Sequence, residues 1–395
     1  MLALTMPPKA PSSRLRSIAL NTILLLVGIL LALGLLEVLL LVYNPFQARI
    51  KGNRIVLLTN KQYHIKNDVI PTLDPVVTVT RNSLGFRGPN PPKDFDRYLS
   101  IISIGGSTTQ CFFLSDDKTW TAKLGQKLEP SFKPLWINNA GLDGHSTYGH
   151  LVLLEDHVRQ VHPKVVVFLV GANDVARDPG VEWDAENVKG SISFYSPTAF
   201  LKSLSPYSEV ASMIANLYRS MNAYKQGLFH QKIDFKQQGY VDNVNPAEVQ
   251  TYFDEVANPH FLQGFEDRVR RLITISRSSG MEPVLVTQPL LAGGGIDDVT
   301  GLDMGRIRIG PGHSGKMWWD ALERYNDVTR HLGQEYKVTV VDIARTLPKS
   351  SRYFYDFIHF TNEGAEAVAD RLAKDMCPSL KEKFPTYATG SSCPN

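Results

Sequence analysis

The longest unbroken apolar segment of the chain lies near its N-terminus. Residues Ile18 to Tyr43 include a single charged side chain, that of Glu37. This length exceeds the roughly 20 residues that an α-helix needs to cross a bilayer, and it is longer than the apolar region of a cleaved signal peptide. The pattern predicts an uncleaved transmembrane anchor over residues 18–43, preceded by a tail at residues 1–17. Glu37 then belongs either to a functional site or to the outer membrane interface.

Residues 44–97 have no clean hydrophobic period and are interrupted by proline and asparagine, which predicts a stalk and lead-in segment. Basic residues flank the apolar run on both sides, so the positive-inside rule barely separates the two orientations. Because long C-terminal domains are translocated largely regardless of flanking charge, we expect a single-pass membrane protein with its C-terminal domain on the extracytoplasmic side.

From residue 98 onward, short apolar runs alternate with segments of helical period. The runs occupy residues 99–104, 135–137, 165–170, 283–287 and 338–341. Runs that are apolar on both faces are typical of parallel strands buried between helices. Apolar residues recur at helical spacing within residues 120–128, 265–273 and 365–372. This alternation predicts an α/β domain over residues 98–395, built on a doubly wound parallel sheet.

Residues 177–262 interrupt the alternation between the third and fourth runs. A loop of that length without secondary structure is implausible in a compact domain. Val210, Met213, Ile214 and Leu217 fall on one face of a helix that Ser205-Pro206 would start. The segment is therefore predicted to be an inserted helical subdomain, which either caps the carboxyl edge of the sheet or decorates its periphery.

Composition narrows the choice of partners. The formal net charge is +3 without a long basic run, so nucleic acid is a poor candidate. The three cysteines, Cys111, Cys377 and Cys393, match neither a zinc site nor a disulfide framework. Cys377 and Cys393 either pair in an oxidising compartment or remain as two thiols.

Three turns that follow the first three runs carry candidate chemistry. Ile104-Gly-Gly-Ser-Thr-Thr109 presents Ser107 on a tight turn, where a nucleophile would be exposed, although such turns also cradle phosphates or cap helices. Asn138-Asn-Ala-Gly-Leu-Asp-Gly-His-Ser146 and Val170-Gly-Ala-Asn-Asp174 place glycine and asparagine at the same edge. There they would either donate hydrogen bonds to a developing oxyanion or form ordinary turns.

A fourth motif, Asp356-Phe-Ile-His359, precedes the last helical stripe. An aspartate three residues before a histidine in a loop can accept from imidazole Nδ1–H, which leaves Nε2 to take a proton from a serine. This spacing is common by chance, and the other nine histidines have no comparable context. Among those, only His145 and His313 are worth checking.

Taken in order, the four motifs resemble the SGNH (GDSL-like) hydrolase family over roughly residues 99–376. The segment Asn82-Ser-Leu-Gly-Phe-Arg-Gly88 is similar to one in membrane-anchored members. The resemblance implies a flavodoxin-like SGNH hydrolase fold with Ser107 as nucleophile and Asp356 and His359 as acid and base. It also implies an oxyanion hole formed by Ser107, Gly144 and Asn173.

One departure from the family pattern is the sequence Gly105-Gly106-Ser107, where many members have Gly-Asp-Ser. This variant looks more like anchored members that modify surface polysaccharide or the cell envelope. The activity implied is acyl transfer through a serine ester. With water as the acceptor the protein would be an esterase, and with a sugar hydroxyl it would be an O-acyltransferase. The implied substrates are acyl esters of envelope glycans or lipids, with acetyl as the favoured acyl group. The resemblance implies neither a metal nor an organic cofactor. The alternative is a non-catalytic SGNH-like scaffold subunit of a membrane assembly.

Overall fold

The computed structural model of the chain describes residues 13–44, 50–51, 54–176, 196–225, 230, 232–242 and 244–394. The chain divides into two compact units, which are described separately. Unit 1 comprises residues 1–54 and 190–227, and unit 2 comprises residues 55–189 and 228–395. Residues 1–12 of the predicted tail and residues 177–195 of the predicted insertion lie outside the described residues.

The strands in the described ranges are β1 Ile50–Lys51, β2 Arg54–Ile55, β3 Lys61–Lys66, β4 Val76–Arg81, β5 Leu99–Gly105, β6 Leu135–Asn139, β7 Val165–Leu169, β8 Glu282–Val286, β9 Arg308–Gly310, β10 His313–Ser314 and β11 Thr339–Val341. The α-helices are α1 Ser13–Val42, α2 Ser107–Gln110, α3 Trp120–Leu128, α4 Thr147–Leu153, α5 Arg159–Val161, α6 Pro197–Leu204, α7 Glu209–Lys225, α8 Pro246–Val256, α9 Pro259–Ser278, α10 Gly315–Tyr336, α11 Ile343–Thr346 and α12 Asn362–Lys383.

Unit 2 is built on a parallel sheet of five strands in the order β11-β8-β7-β5-β6. All five predicted apolar runs form these strands. Counted along the chain, the order is 2-1-3-4-5, which is the flavodoxin-like arrangement. The winding direction reverses between β5 and β7, so the topological switch point lies at the carboxyl ends of these two strands. Doubly wound proteins bind their ligands in the crevice at that position.

Helices cover both faces of the sheet. Because successive strand residues point to opposite sides, each strand contributes side chains to two separate cores. Leu99 and Ile101 of β5 pack into one core with α3 and α12, whereas Ile102 and Ile104 pack into a second core with α9 and α10. Every residue of β5 and β7 is buried. The predicted fold class, a doubly wound α/β domain with a parallel sheet, is thereby confirmed.

The predicted helical stripes of α3, α9 and α12 form the inner faces of these layers. Trp120, Leu124 and Leu128 of α3 are fully buried, and so are the stripe residues of α9 and α12. Burying each large apolar side chain contributes roughly 1.5–3 kcal/mol relative to leaving it in water. These stripes therefore fix the helices against the sheet.

Residues 55–97 are part of unit 2. Strands β3 and β4 form an antiparallel hairpin in which Lys61 pairs with Arg81. Residues 82–87 are hydrogen-bonded to β6. The Asn82 side-chain amide donates to Asn138 Oδ1, and the backbones of Arg87 and Asn139 exchange two hydrogen bonds of 2.9 Å. The lead-in segment thus extends the compact unit on the β6 side.

Unit 1 contains α1 and two helices of the predicted insertion, α6 and α7, whereas α8 of the same insertion belongs to unit 2. Helix α1 is long and apolar enough to cross a membrane, and a signal sequence near the N-terminus would pass the same test. Helix α7 packs against α1. The carboxylate of Glu37 accepts hydrogen bonds from Ser208 Oγ (2.7 Å) and from the backbone N–H groups of Glu209 (2.6 Å) and Val210 (3.1 Å). The charged residue of the apolar run therefore caps the N-terminus of α7.

The C-terminal segment returns to α12 through a covalent link. Cys377 of α12 and Cys393 form a disulfide with a Cα–Cα distance of 5.7 Å, within the usual range for such bridges. Cys111 is a buried free thiol. Of the two alternatives that the sequence left open, the structure takes the paired one.

Candidate active site

Ser107 lies at the switch point, as the first residue of α2 and two residues after the end of β5. Two glycines make this turn possible. A Cβ on Gly105 would lie 2.1 Å from Thr109 Oγ1, and a Cβ on Gly106 would lie 2.5 Å from Asn173 Nδ2. A side chain at Gly105 would also lie 2.8 Å from the backbone carbonyl of Leu169, so it would push α2 away from β7, whereas a side chain at Gly106 would displace the Asn173 amide.

The side chains of Asp356, His359 and Ser107 form a continuous hydrogen-bonded chain. His359 Nδ1 lies 2.6 Å from Asp356 Oδ2, and His359 Nε2 lies 2.8 Å from Ser107 Oγ. Residues from opposite ends of the domain are thereby brought together in the order that proton transfer from a serine to a histidine requires.

A tight local turn fixes the histidine. The second oxygen of Asp356 accepts from the backbone N–H groups of Ile358 (2.9 Å) and His359 (2.7 Å), and Tyr355 N–H donates to His359 O (3.0 Å). Burial by itself raises the pKa of the Asp356 carboxyl, but the charge of His359 and these hydrogen bonds hold it below its usual value. The carboxylate is therefore ionised and available to stabilise an imidazolium.

Asn173 and Gly144 reach the same edge from the other two turns. Asn173 lies in a 3₁₀ turn after β7, and its Nδ2 donates to His145 O at 3.0 Å, beside Gly106. Gly144 precedes His145 and has a φ of +72°, where a Cβ would meet nothing within 4 Å. An asparagine amide and a loop with a left-handed glycine thus stand next to the residue that precedes Ser107. His145 contributes to this arrangement through its carbonyl, whereas the His313 ring packs against Tyr252.

A buried ion pair holds these two turns together. Asp174 accepts from Thr147 N–H at 3.0 Å and from Arg268 Nη2 at 3.4 Å, and Arg268 Nε donates to Thr147 Oγ1 at 2.6 Å. The Asp174 and Arg268 side chains are 1% and 5% exposed. This contact joins the turn that carries Asn173 to the start of α4, which follows the Gly144 loop.

Arg87, from the lead-in segment, supports the helix that begins with Ser107. Its buried guanidinium donates to the carbonyls of Gln110 (2.5 Å), Cys111 (3.0 Å) and Leu114 (2.7 Å), and its Nε pairs with Asp116 Oδ1 at 2.8 Å. A cation at the C-terminal end of a helix satisfies carbonyls that have no intrahelical partner. The Asn82–Gly88 segment therefore belongs to the surroundings of the site.

The sequence did not identify His230 of the insertion, which lies beside His359. Its Nδ1 is 2.8 Å from Tyr355 Oη, its Nε2 is 3.0 Å from Asp143 Oδ2, and its ring centroid is 4.4 Å from that of His359. The ring also stacks on Phe112 at 5.4 Å. No motif surrounds His230, so its neighbours could be found only from the tertiary structure.

The charge state of His230 follows from these contacts. Burial by itself lowers the pKa of the His230 imidazole, but the hydrogen bond and charge of Asp143, together with the charge of Asp356, raise it above its usual value. His230, Asp356 and His359 also place ligand atoms within 4.8 Å of one another. Each of these groups is already engaged in the hydrogen bonds described above, so the arrangement fits a proton-transfer network better than a metal site.

Comparisons with known proteins identify the family of the chain. The model of the GDSL-like lipase/acylhydrolase family matches residues 103–367, about two thirds of the chain. No protein of curated function matches the chain.

Solved structures that resemble the chain share little sequence with it. A protein from Parabacteroides merdae, described as a GDSL-like lipase, is 14% identical in sequence to this chain. The two structures have a TM-score of 0.40, and the match covers 72% of this chain and 97% of the other. An acetylxylan esterase from Geobacillus stearothermophilus is 14% identical, with a TM-score of 0.38 over 70% of this chain and 93% of its own.

Proposed function

The chain belongs to the GDSL-like lipase/acylhydrolase family, and we propose that it is a serine esterase or O-acyltransferase with Ser107, His359 and Asp356 as its catalytic triad. The observation that carries the proposal is the hydrogen-bonded chain from Asp356 Oδ2 through both ring nitrogens of His359 to Ser107 Oγ. A scaffold without activity would have no need of this alignment at the switch point of the sheet.

In the proposed reaction, Ser107 Oγ attacks the ester carbonyl carbon while His359 Nε2 takes the hydroxyl proton. The carbonyl oxygen becomes an oxyanion, and donors from Ser107 N–H, Gly144 N–H and the Asn173 amide stabilise it. The amide carries two N–H donors, and the His145 carbonyl orients it. Asp356 holds the imidazole and stabilises the imidazolium.

The tetrahedral intermediate then collapses to an acyl-enzyme. The bond to the leaving alcohol breaks, and His359 gives its proton to that alcohol. An acceptor hydroxyl, from water or from a sugar, attacks the acyl carbon as His359 takes its proton. Collapse of this second intermediate returns the proton to Ser107 Oγ and releases either a carboxylic acid or a new ester.

We assign His230 a positioning role in this reaction. It bridges Asp143, which precedes the oxyanion residue Gly144, and Tyr355, which precedes the acid Asp356. The loop with the oxyanion donor and the loop with the general base are therefore tied to one side chain of the insertion. The insertion contributes to the site through this residue.

The proposed location is the extracytoplasmic side of a membrane, with α1 as a single-pass anchor. A disulfide between Cys377 and Cys393 suits an oxidising compartment. The proposed substrates are acyl esters, acetyl esters above all, of envelope glycans or lipids, which an anchored enzyme of the Gly-Gly-Ser branch would meet there.

A serine-directed fluorophosphonate probe tests the proposal. We expect the full chain to be labelled, Ser107→Ala to remain unlabelled, and Ser83→Ala, which changes an exposed serine of the same unit, to be labelled like the wild type. An acetate-release assay against acylated glycans and short-chain esters would then separate substrates. A folded wild-type protein that neither reacts with the probe nor releases acetate would support the scaffold alternative.

A further inference from the structure

We propose that α7 is an interfacial membrane helix that is seated on Glu37 and lays one apolar face into the acyl boundary of the bilayer. The inference rests on the proposed membrane anchor and adds a second membrane contact to it. Three observations within unit 1 support it: the cap on α7, the depth of Glu37 along the span, and the side chains that α7 exposes.

The first observation is the contact between the two helices. The N-terminus of an α-helix has N–H groups without intrahelical acceptors and a partial positive charge, so a carboxylate there is favourable. Glu37 supplies that carboxylate through its three hydrogen bonds to residues 208–210. Glu209 is held in turn by Lys51 and by Asn44 Nδ2, the latter at 2.9 Å. The start of α7 is therefore fixed to the C-terminal end of α1.

The second observation is the position of this cap along the span. An α-helix needs roughly 20 residues to cross the hydrocarbon core. Counted from Ile18, these residues end at Glu37, which lies within the last two turns of the apolar run that ends at Tyr43. The carboxylate thus falls at the edge of the hydrocarbon, where a charged group stays hydrated or hydrogen-bonded. A helix that begins at this depth begins in the interfacial layer.

The third observation is the distribution of side chains around α7. Ala211 and Ala215 are buried on one side of α7, and Val210 is buried in its first turn. Beyond that turn, the face that continues from Val210 exposes Ile214 (44%), Leu217 (60%), Tyr218 (48%) and Met221 (51%).

Asn216 and the exposed Ser220 lie on another side of the helix, next to the half-buried Met213. An aliphatic face with a tyrosine, next to a polar face, is typical of helices that lie in the membrane interface. Phe200 and Tyr207 of the same unit are also exposed. Helix α1 contacts the start of α7, which places this apolar face next to the membrane span. We therefore infer that lipid, and not a second protein, covers the exposed face of α7.

Fluorescence quenching in vesicles tests the proposal. The full chain would be reconstituted into vesicles of phosphatidylcholine and phosphatidylglycerol, with an NBD fluorophore on one introduced cysteine. Burial raises the pKa of the Cys111 thiol to about 12, so this thiol should not compete for the label. The labelled positions would be Leu217→Cys on the apolar face, Ser220→Cys as its matched control in the same helix, and Leu31→Cys within the span.

We expect lipids brominated along the acyl chains to quench the label at position 217 several-fold more strongly than the label at position 220. Met221→Cys provides a second label on the same face should Leu217→Cys fail to fold. Strong quenching at position 31 with equal, weak quenching at 217 and 220 would overturn the interfacial helix and leave the anchor intact. Absence of quenching at position 31 would overturn the anchor, and the interfacial helix with it. A label at 217 that is shielded from water but not quenched would show that protein covers this face.

Discussion

The imidazole rings of His230 and His359 lie with their centroids 4.4 Å apart, although one residue comes from the insertion and the other from the C-terminal part of the domain. His359 contacts Ser107, and His230 contacts Asp143 and Tyr355. The two histidines therefore have separate partners, and their roles can be tested separately.

For His230 we expect its replacement by alanine to lower kcat by about 10–100-fold, because small displacements of positioned groups cost this much. KM for a small acetate ester should change less. His230→Gln keeps a donor for Asp143 and a second polar atom that can hydrogen-bond with Tyr355, so it should recover part of kcat. An effect on thermal stability alone, with unchanged kcat, would contradict the positioning role.

The pH dependence of stability gives an independent test of His230. Its pKa is raised in the folded protein, so its contribution to stability is complete below the unfolded value of about 6.5 and is lost as the pH rises through the folded value. The difference in Tm between wild type and His230→Gln should therefore be largest in acidic solution and shrink toward alkaline pH. A difference that grows with pH would reverse the assigned sign.

For the proposed triad we expect Ser107→Ala, His359→Ala and Asp356→Asn each to lower kcat by about 10⁴–10⁶-fold while the protein stays folded. Groups that act as a unit are not additive, so the double variant of Ser107 and His359 should be no worse than either single variant. Turnover of an activated acetate ester and circular dichroism would measure the two properties. Near-wild-type turnover in Ser107→Ala would remove it as the nucleophile.

Asn173→Ala should lower kcat by about 10²–10³-fold with little change in KM, the usual cost of one oxyanion donor. Gly106→Ala should have a similar effect, because its Cβ would lie 2.5 Å from Asn173 Nδ2 and displace the amide. Once Asn173 is alanine, most of the added cost of Gly106→Ala should disappear. A double-mutant cycle on kcat measures this coupling, and simple additivity would mean that the two residues act independently.

Arg87→Ala should destabilise the protein by about 2–4 kcal/mol, because the carbonyls of Gln110, Cys111 and Leu114 and the carboxylate of Asp116 lose a charged donor. Lysine cannot replace the fork of donors, so Arg87→Lys should recover little. Arg97, whose side chain is 80% exposed in its pair with Asp94, is the matched control and should have little effect. Urea denaturation would measure the free energy of unfolding of the three variants. Equal midpoints would show that Arg87 contributes no more to stability than an exposed arginine does.

Glu37→Ala should weaken the start of α7 by about 1 kcal/mol, the typical value of a helix cap. Backbone amides of Glu209, Val210 and Ala211 should then exchange with solvent deuterium about five-fold faster. Hydrogen–deuterium exchange in detergent micelles would detect this change, with the amides of α9 as an internal reference. Unchanged exchange in α7 would show that other contacts hold the helix on α1.

Sequence alone determined the features that depend on local chemistry and period. The five strands were identified because strands buried on both faces form nearly continuous apolar runs. Helices α3, α9 and α12 followed from apolar stripes that match the helical repeat. Ser107 and Asn173 were singled out because they lie in turns after parallel strands, which end at one edge of the sheet. The Asp356–His359 pair was singled out by its spacing, and the resemblance to the family supplied the role of each residue.

Tertiary structure decided which surfaces and side chains meet. The stripe of α7 was recognised as apolar, but periodicity does not say what covers a stripe, and Ile214 and Leu217 are exposed. The partners of His230, Arg87 and Glu37 lie far away in sequence and carry no local pattern. The same holds for the pairing of Cys377 with Cys393, since a distance of 5.7 Å between Cα atoms is a property of the folded chain. Period and turn chemistry are local, whereas a contact between distant segments exists only once the layers have packed.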